Sequence, residues 1–282
     1  MNRESQKKKA QAFLSMHTND NLLVLPNIWN PIGARILAAK DFPAVATASE
    51  AVSASVGYED GERIKRSTLI DIITRIAHSV DIPVTADIEK GFGESISKLQ
   101  ETILQVIDSG VVGINIEDSI EQGGALRPID EQCERIATAR EVSGQQGLHL
   151  VINARVDSFL SGFFQEKEEK IEDAVVRAKA YSEAGADCIY PIGPGDLETV
   201  RILRNRIASP INILATPAAE PLTVLEEIGI NRVSFGPFIF RSCLKKFVDI
   251  VNMLHSLGNY DCFSNKMLSG PETNAFLIQD FE

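Results

Sequence analysis

Val84-Thr-Ala-Asp-Ile-Glu-Lys-Gly-Phe-Gly93 and Gly113-Ile-Asn-Ile-Glu-Asp118 each open as a short apolar run and end in carboxylates, Asp87 and Glu89 in the first, Glu117 and Asp118 in the second. A brief apolar run bounded by glycines reads as a buried strand. Acids placed where strands stop have no use in a core. Three or four such oxygens converging at one end of a sheet suit a hard cation such as Mg²⁺, which takes oxygen ligands and keeps several waters. Residues two apart on a strand share a face, so Asp87 and Glu89 are expected to point the same way.

The same pattern extends outward along the chain. Strands are predicted over 22–26, 44–48, 84–88, 113–116, 149–153, 188–191, 211–215 and 232–235, with Asn27 to Pro31 as a loop. Helical spacing covers 33–40, 66–79, 95–109, 129–143, a segment entered from a charged loop at 167–170 and ending at Gly185, then 197–207, 222–228 and a last helix to Leu257. Short apolar strands alternating with helices predict an α/β fold, and eight such units fit a (β/α)8 TIM barrel better than an open doubly wound sheet. The expected organisation is one barrel domain over 1–257, preceded by a polar helical leader, with a tail at 258–282 that makes an oligomer contact.

Composition narrows the function. With 44% apolar and 24% charged residues the chain reads as a soluble globular protein. Its net charge of -11 argues against nucleic acid or an anionic membrane as partner and leaves small molecules. Cys133, Cys188, Cys243 and Cys262 show no Cys-x-x-Cys pairing, which fits reduced thiols in the cytoplasm rather than a zinc or disulfide framework. The mixed polar stretch from Gln11 to Asn21 is not expected to act as a signal peptide, and the sequence holds no apolar run of about 18 residues. Gly91-Phe-Gly93 and Gly193-Pro-Gly195 lack the spacing and lysine of a phosphate-binding loop.

In such a barrel the active site forms at the C-terminal ends of the strands. There the sequence gathers Asp87, Glu89, Glu117 and Asp118, then Arg155 and Asp157, with Ser49, Glu50, Glu59, Asp60 and Glu62 in the loop after the second strand. Glu59, Glu62 and Glu121 read as solvated loop acids. Arg155 offers a planar fork suited to a carboxylate or phosphonate, or else a structural ion pair with Asp157 or Glu117. Mg²⁺ held among these acids would polarise a carbonyl and stabilise an enolate oxygen.

These residues also carry a resemblance. Pro26-Asn-Ile-Trp29, Ala48 to Gly57 with Asp60 beyond it, Asp87 to Gly93, Gly113 to Asp118 and Ile152-Asn-Ala-Arg155 together resemble the isocitrate lyase and phosphoenolpyruvate mutase superfamily. The resemblance implies that Asp60, Asp87, Glu89 and Glu117 surround Mg²⁺, for which Mn²⁺ can substitute, with Asp87 the direct ligand and the others acting through water. It implies that Arg155 binds a substrate carboxylate, that Ala48, Ser49 and Glu50 occupy the substrate-binding segment, and that Asp60, Glu117 and Arg155 are the catalytic set. It further implies a barrel whose last helix is exchanged between subunits of a homotetramer.

The departures bear on the reaction. Glu89 stands where the family usually has Asp. The Lys-(Lys/Arg)-Cys-Gly-His segment of the family's lyases is replaced by Ser119-Ile-Glu-Gln-Gly-Gly-Ala125, and the lysine and Asn-Ser pair of its mutases are missing as well. Cys133 falls in the following helix as a packing residue. Ala48-Ser49-Glu50 replaces the family's Ser-Gly-Leu, and an acid there argues against a dianionic phosphonate. Gly123 and Gly124 suit a lid that closes over ligand. The expected activity is Mg²⁺-dependent cleavage of the carbon–carbon bond next to a pyruvoyl group in a small oxo- or hydroxy-acid, by way of a metal-stabilised enolate. The alternatives are phosphorus–carbon chemistry of the phosphonomutase or phosphonopyruvate hydrolase type, and a barrel that binds a metabolite without turning it over.

Overall fold

The chain begins with a helix whose apolar face seals the floor of a barrel. Helix α1 (Arg3–Thr18) buries Gln6, Ala10, Phe13 and His17, a spacing that puts all four on one side. Gln6 Nε2 donates to the carbonyls of Ile107 and Val111 at 2.7 and 3.0 Å. The Phe13 ring lies against Gly113, where an added Cβ would meet its edge at 2.7 Å, so glycine is required at the start of that strand. The expected leader is therefore a helical plug. The computed structural model describes residues 2–19, 21–120, 124–256, 258–261, 263 and 267–277.

Parallel strands follow: β1 (Leu23–Leu25), β2 (Asn27–Ile28), β3 (Val45–Thr47), β4 (Val84–Asp87), β5 (Gly113–Glu117), β6 (Val151–Val156), β7 (Cys188–Pro191), β8 (Asn212–Leu214) and β9 (Arg232–Ser234). They hydrogen-bond in the orders β1-β9-β8 and β2-β3-β4-β5-β6-β7. Two seams join these runs into a ring. Pro26, which has no N–H to give, separates β1 from β2 on one continuous stretch of chain. At the other seam Ile189 bridges Ile211 in parallel, and its N–H donates to the Pro210 carbonyl at 2.9 Å. With β1 and β2 as one staggered strand, this is the expected (β/α)8 barrel. Residues 27 and 28, expected in a loop, are strand.

The barrel wall holds because each helix offers an apolar stripe to the sheet. In α5 (Ile96–Asp108) the buried residues are Leu99, Thr102, Ile103, Val106 and Ile107, and Ser95 caps the first turn by accepting from the Lys98 N–H. Helix α6 (Ile129–Gln145) behaves likewise and carries Cys133. The segment 167–170, expected as a loop, is the first turn of α7 (Lys167–Glu183), fixed by reciprocal capping between Glu166 and Glu169. Helix α3 (Ser49–Ser55), also expected as loop, follows β3 directly. The outer layer is completed by α2 (Pro31–Ala39), α4 (Arg66–Ala77), α8 (Leu197–Arg206) and α9 (Leu222–Glu227), and after β9 comes α10 (Phe238–His255). No helix among the described residues is long and apolar enough to cross a membrane. Leu257, Cys262 and the last residues of the tail lie outside the described residues.

Candidate active site

A cavity of about 230 Å³ opens where the strands end. Ala48, Ser49, Glu50, Asp60, Asp87 and Arg155 line it together, although they come from segments more than 100 residues apart. Asp87, at the end of β4, is clamped from three sides. Its Oδ2 accepts the Ser49 N–H at 3.0 Å, and its Oδ1 accepts Asn115 Nδ2 at 3.0 Å and the Glu89 N–H at 3.2 Å. Thr47 Oγ1 accepts the Asp87 N–H at 2.9 Å, so the neighbouring strand fixes the backbone as well.

Glu89 and Glu117 are buried just behind this lining. Glu89 lies beyond the strand with φ 51°, so the two-residue alternation expected to align it with Asp87 does not operate. Its Oε2 accepts the Glu62 N–H at 2.5 Å, and Glu62 Oε1 accepts the Phe92 N–H at 2.7 Å. Glu62 is thus part of the site's frame rather than a solvated loop acid, whereas Glu59 is exposed as expected. Glu62 and Phe92 also have positive φ, 61° and 54°. Non-glycine residues rarely adopt that region, and such strain collects at functional sites.

Arg155, on β6, is fully engaged along one edge. Its Nε and Nη2 donate to Asp157 Oδ1 and Oδ2 at 2.6 and 2.8 Å, and its Nη1 lies 2.7 Å from Glu117 Oε2. The ion pair expected as an alternative role is present, with both candidate partners. A guanidinium has five N–H groups, so Nη1 and Nη2 each retain one for a ligand. Ser119 Oγ donates to Glu117 Oε1 at 2.9 Å.

Asp118 does not join the cluster. It is buried, its Oδ1 accepts the Asp157 N–H at 2.9 Å, and its Oδ2 takes Tyr181 Oη at 2.7 Å and Arg177 Nη1 at 3.2 Å. It braces the ends of β5 and β6 from the outer layer. Cys133 is half-buried in α6 and, as expected, does not line the cavity. In the segment expected as a lid, Ser119 bridges Leu126 and the Ile120 N–H donates to the Ala125 carbonyl at 2.9 Å. Glu121 and Gly123 lie outside the described residues, while Gly124 accepts from Ser161 Oγ at 3.2 Å.

Two sets of residues escaped the sequence reading. Asn27, Asn115, Asn153 and Asn212 are buried polar groups within strand runs and line the cavity. Asn115 Oδ1 takes Asn153 Nδ2 at 2.8 Å while its own Nδ2 holds Asp87. An asparagine inside an otherwise apolar strand was the available signal, since such a group must find partners. The second is Arg241, in the first turn of α10, whose Nε and Nη2 donate to the two Glu50 oxygens at 2.8 and 2.7 Å.

Electrostatics mark the acid cluster as starved of cations. Burial, reinforced by the Asp60, Asp87 and Glu117 carboxylates, pushes Glu89 up to about 8. Burial and Asp87 raise Asp60, whose Oδ1 is buried without a hydrogen-bond partner. Burial raises Glu117 also, and Arg155 opposes the rise. Among the described residues no three His, Cys, Asp or Glu side chains converge tightly enough to hold a metal by direct contact alone. Mg²⁺ does not demand that, since it is commonly bound through one or two carboxylates and several waters. Asp87 facing the cavity, the orphaned Asp60 oxygen and the mutually repelling carboxylates fit such an ion.

A family model described as phosphoenolpyruvate phosphomutase matches residues 13–255. An uncharacterised protein of Mycobacterium tuberculosis is 31% identical over 228 residues, spanning 80% of this chain and 81% of that one. The 2-methylisocitrate lyase of Aeropyrum pernix is 27% identical over 264 residues, spanning 89% and 82%. A crystal structure of phosphonopyruvate hydrolase in complex with oxalate and Mg²⁺ has the same fold, with a TM-score of 0.82 at 22% identity over 95% of this chain and 94% of that one. The chain belongs to the phosphoenolpyruvate phosphomutase family, within the isocitrate lyase and phosphoenolpyruvate mutase superfamily of lyases and mutases.

Proposed function

We propose that the protein is a Mg²⁺-dependent carbon–carbon lyase acting on a small oxo- or hydroxy-acid. The observation that carries this reading is the pairing, in one cavity, of an under-compensated acid cluster around Asp87 with a buried guanidinium, Arg155, whose fork is held in place by Asp157 and Glu117. Asp87 would hold the ion directly, with Asp60, Glu89 and Glu117 acting through water. When bound, Mg²⁺ supplies a positive charge that draws off the negative charge growing on a carbonyl oxygen as the adjacent bond breaks.

This chain's residues do the rest. Arg155 turns its remaining N–H groups to the substrate carboxylate, and Asp157 and Glu117 keep it from swinging away. Asn115 and the Ser49 N–H fix the Asp87 carboxylate before substrate arrives, so little reorganisation remains for the reaction itself. In an oxo-acid the bond to the carbon beside the carbonyl breaks and its electron pair stays with the pyruvoyl half. The other half departs as carbon dioxide or, where it bore a hydroxyl, as a carbonyl compound whose hydroxyl proton passes to a carboxylate of the cluster. In a 2-hydroxy-acid the hydroxyl gives its proton to that carboxylate, the pyruvoyl half departs as the oxo-acid and the pair stays with the other half. A proton then adds to the carbon that kept the pair.

Residues 1–257 would act as one barrel unit, and the tail from 258 with α10 would contact further copies of the chain in a homotetramer. Helix α10 supports this. Leu244, Phe247, Val248, Val251 and Leu254 stand exposed along one stripe, and its buried residue among those described is Phe240. Turnover of oxaloacetate, 2-methylisocitrate, 4-hydroxy-2-oxopentanoate and phosphonopyruvate, with Mg²⁺ and after chelation, tests the reading. Metal-dependent cleavage of a carbon–carbon substrate is expected, and activity on the phosphonate alone would overturn it.

A further inference from the structure

Three arginines line the cavity, and their partners differ. Arg155 is held by Asp157 and Glu117 beside the acid cluster. The Arg232 guanidinium turns to the barrel floor, with Nη1 3.4 Å from His17 Nε2 and its carbon 6.0 Å from the Phe13 ring centre. Arg241 lines the cavity with a side chain that is half-exposed, and there Glu50 already fills its fork with two hydrogen bonds. Phe238, one turn earlier, lies 5.9 Å under the same guanidinium and limits where it can move.

We propose that Glu50 acts as a built-in occupant of Arg241 and thereby restricts the enzyme to acids whose end remote from the reacting carbonyl is uncharged. The proposal rests on the lyase reading above and specifies its substrate class. A second carboxylate, or a phosphonate, reaching this pair would have to displace Glu50 from Arg241 and would then sit beside an unpaired like charge, an arrangement that costs binding. The pair is part-exposed, 56% for Arg241 and 31% for Glu50, so its own strength is modest. Selectivity comes from the repulsion that its rupture leaves behind.

The far wall of the cavity points the same way. The ring order of the strands puts β3, β4 and β5, with their acids, opposite β7, β8 and β9. From that opposite arc and the segment after β6 come Leu160, Ile192, Leu214 and Phe238. An alkyl or hydroxyalkyl tail packs against these side chains, while the uncharged Tyr190, Asn212 and Ser234 come from the same arc and its Arg232 turns to the floor, toward His17 and Phe13.

Matched ligands of equal length test this without requiring turnover. Binding of 2-oxopentanoate and 2-oxoglutarate is measured by calorimetry in Mg²⁺, with oxalate as the tail-less control, for the full-length protein and for Glu50→Gln. The wild type is expected to favour the neutral tail by about tenfold or more, and Glu50→Gln to shift the ratio toward 2-oxoglutarate by about tenfold. Adding Arg241→Gln to Glu50→Gln should remove that gain, since the freed fork is gone. A wild type that prefers 2-oxoglutarate, or a ratio unchanged in a Glu50→Gln protein that melts like wild type, overturns the proposal while oxalate still binds. Oxalate that does not bind in Mg²⁺ overturns the lyase reading and this proposal with it.

Discussion

Asp157 holds Arg155 by two parallel hydrogen bonds along the edge of the guanidinium, Nε to Oδ1 at 2.6 Å and Nη2 to Oδ2 at 2.8 Å, and is itself anchored through its N–H to Asp118. The order of dependence runs inward from the outer layer: Arg177 and Tyr181 fix Asp118, Asp118 fixes Asp157, and Asp157 aims Arg155. Removing one partner of a buried ion pair strands the other charge, at a cost of about 3–5 kcal/mol. Asp157→Ala should therefore lower unfolding stability by an amount approaching that range in urea titrations. The closer mimic Asp157→Asn should fold but weaken Mg²⁺-dependent oxalate binding about tenfold, as the fork loses its aim. Unchanged oxalate affinity in Asp157→Asn would show that Arg155 needs no such support.

Glu89 makes metal binding pH-dependent, with a definite sign. Its carboxyl is pushed up to about 8, so without metal it holds a proton at neutral pH. A cation drawn into the acid cluster favours the charged form and expels that proton. Mg²⁺ affinity should rise as pH increases from 6 to 8 and then level off, and calorimetry in buffers of different ionisation enthalpy should register proton release. The linkage with folding runs the other way. A carboxyl raised above its unfolded value contributes stability below about 4.5 that is lost as pH climbs toward 8. The metal-free protein should melt at lower temperature at pH 8 than at pH 6, and Mg²⁺ should narrow the difference. An affinity independent of pH in this window would place Glu89 outside the ion's reach.

What the sequence made legible follows from what local pattern encodes. The strands ending at Asp87 and Glu117 were readable because apolar runs stop abruptly at charge, and that grammar repeats around the ring to give the barrel. Helix α3 was not, since Ser49-Glu-Ala-Val-Ser-Ala-Ser55 is built of small residues with no apolar stripe, and its position is set by Asp87 accepting the Ser49 N–H. The Glu89 backbone turn could not be read either, because a positive φ at a glutamate is imposed by its surroundings. Asp118 looked equivalent to Glu117 beside it, and only the outward-packed Arg177 and Tyr181 separate the two. Arg241 meets Glu50 across 191 positions of sequence, a pairing that no local spacing announces.

Asn115 stands between the two halves of the site. It donates to Asp87 Oδ1 at 3.0 Å and accepts from Asn153 at 2.8 Å, so both ends of its amide are engaged in orienting the expected metal ligand. Residues in that position typically govern metal affinity or activity by about 10–100-fold when removed. Asn115→Ala should weaken Mg²⁺ binding within that range and leave an apolar gap beside Asp87. Asn115→Asp should be worse, because it adds a carboxylate to a cluster already raised by mutual repulsion. Wild-type metal affinity in Asn115→Ala, measured by titration calorimetry, would mean that the Ser49 and Glu89 N–H groups suffice to hold Asp87.

Helix α10 offers the remaining test, because its outward stripe is out of keeping with a surface helix of an isolated barrel. Phe247 is 63% exposed, and Leu244, Val248, Val251 and Leu254 continue the same face. Its inner end, in contrast, is seated, with Phe240 packed edge-on against Trp29 at 4.9 Å between ring centres. A contiguous apolar patch of this kind marks an association surface, and a second copy of the chain presenting the same helix is complementary to it by symmetry. Light scattering on the purified protein is expected to give a mass of several chains. Phe247→Asp with Val251→Asp should reduce it to that of one, because two buried charges without partners would face each other across the interface. Both changes lie beyond the cavity lining, so Mg²⁺-dependent oxalate binding should persist in the dissociated protein, and a wild type that sediments as a single chain would refute the assembly.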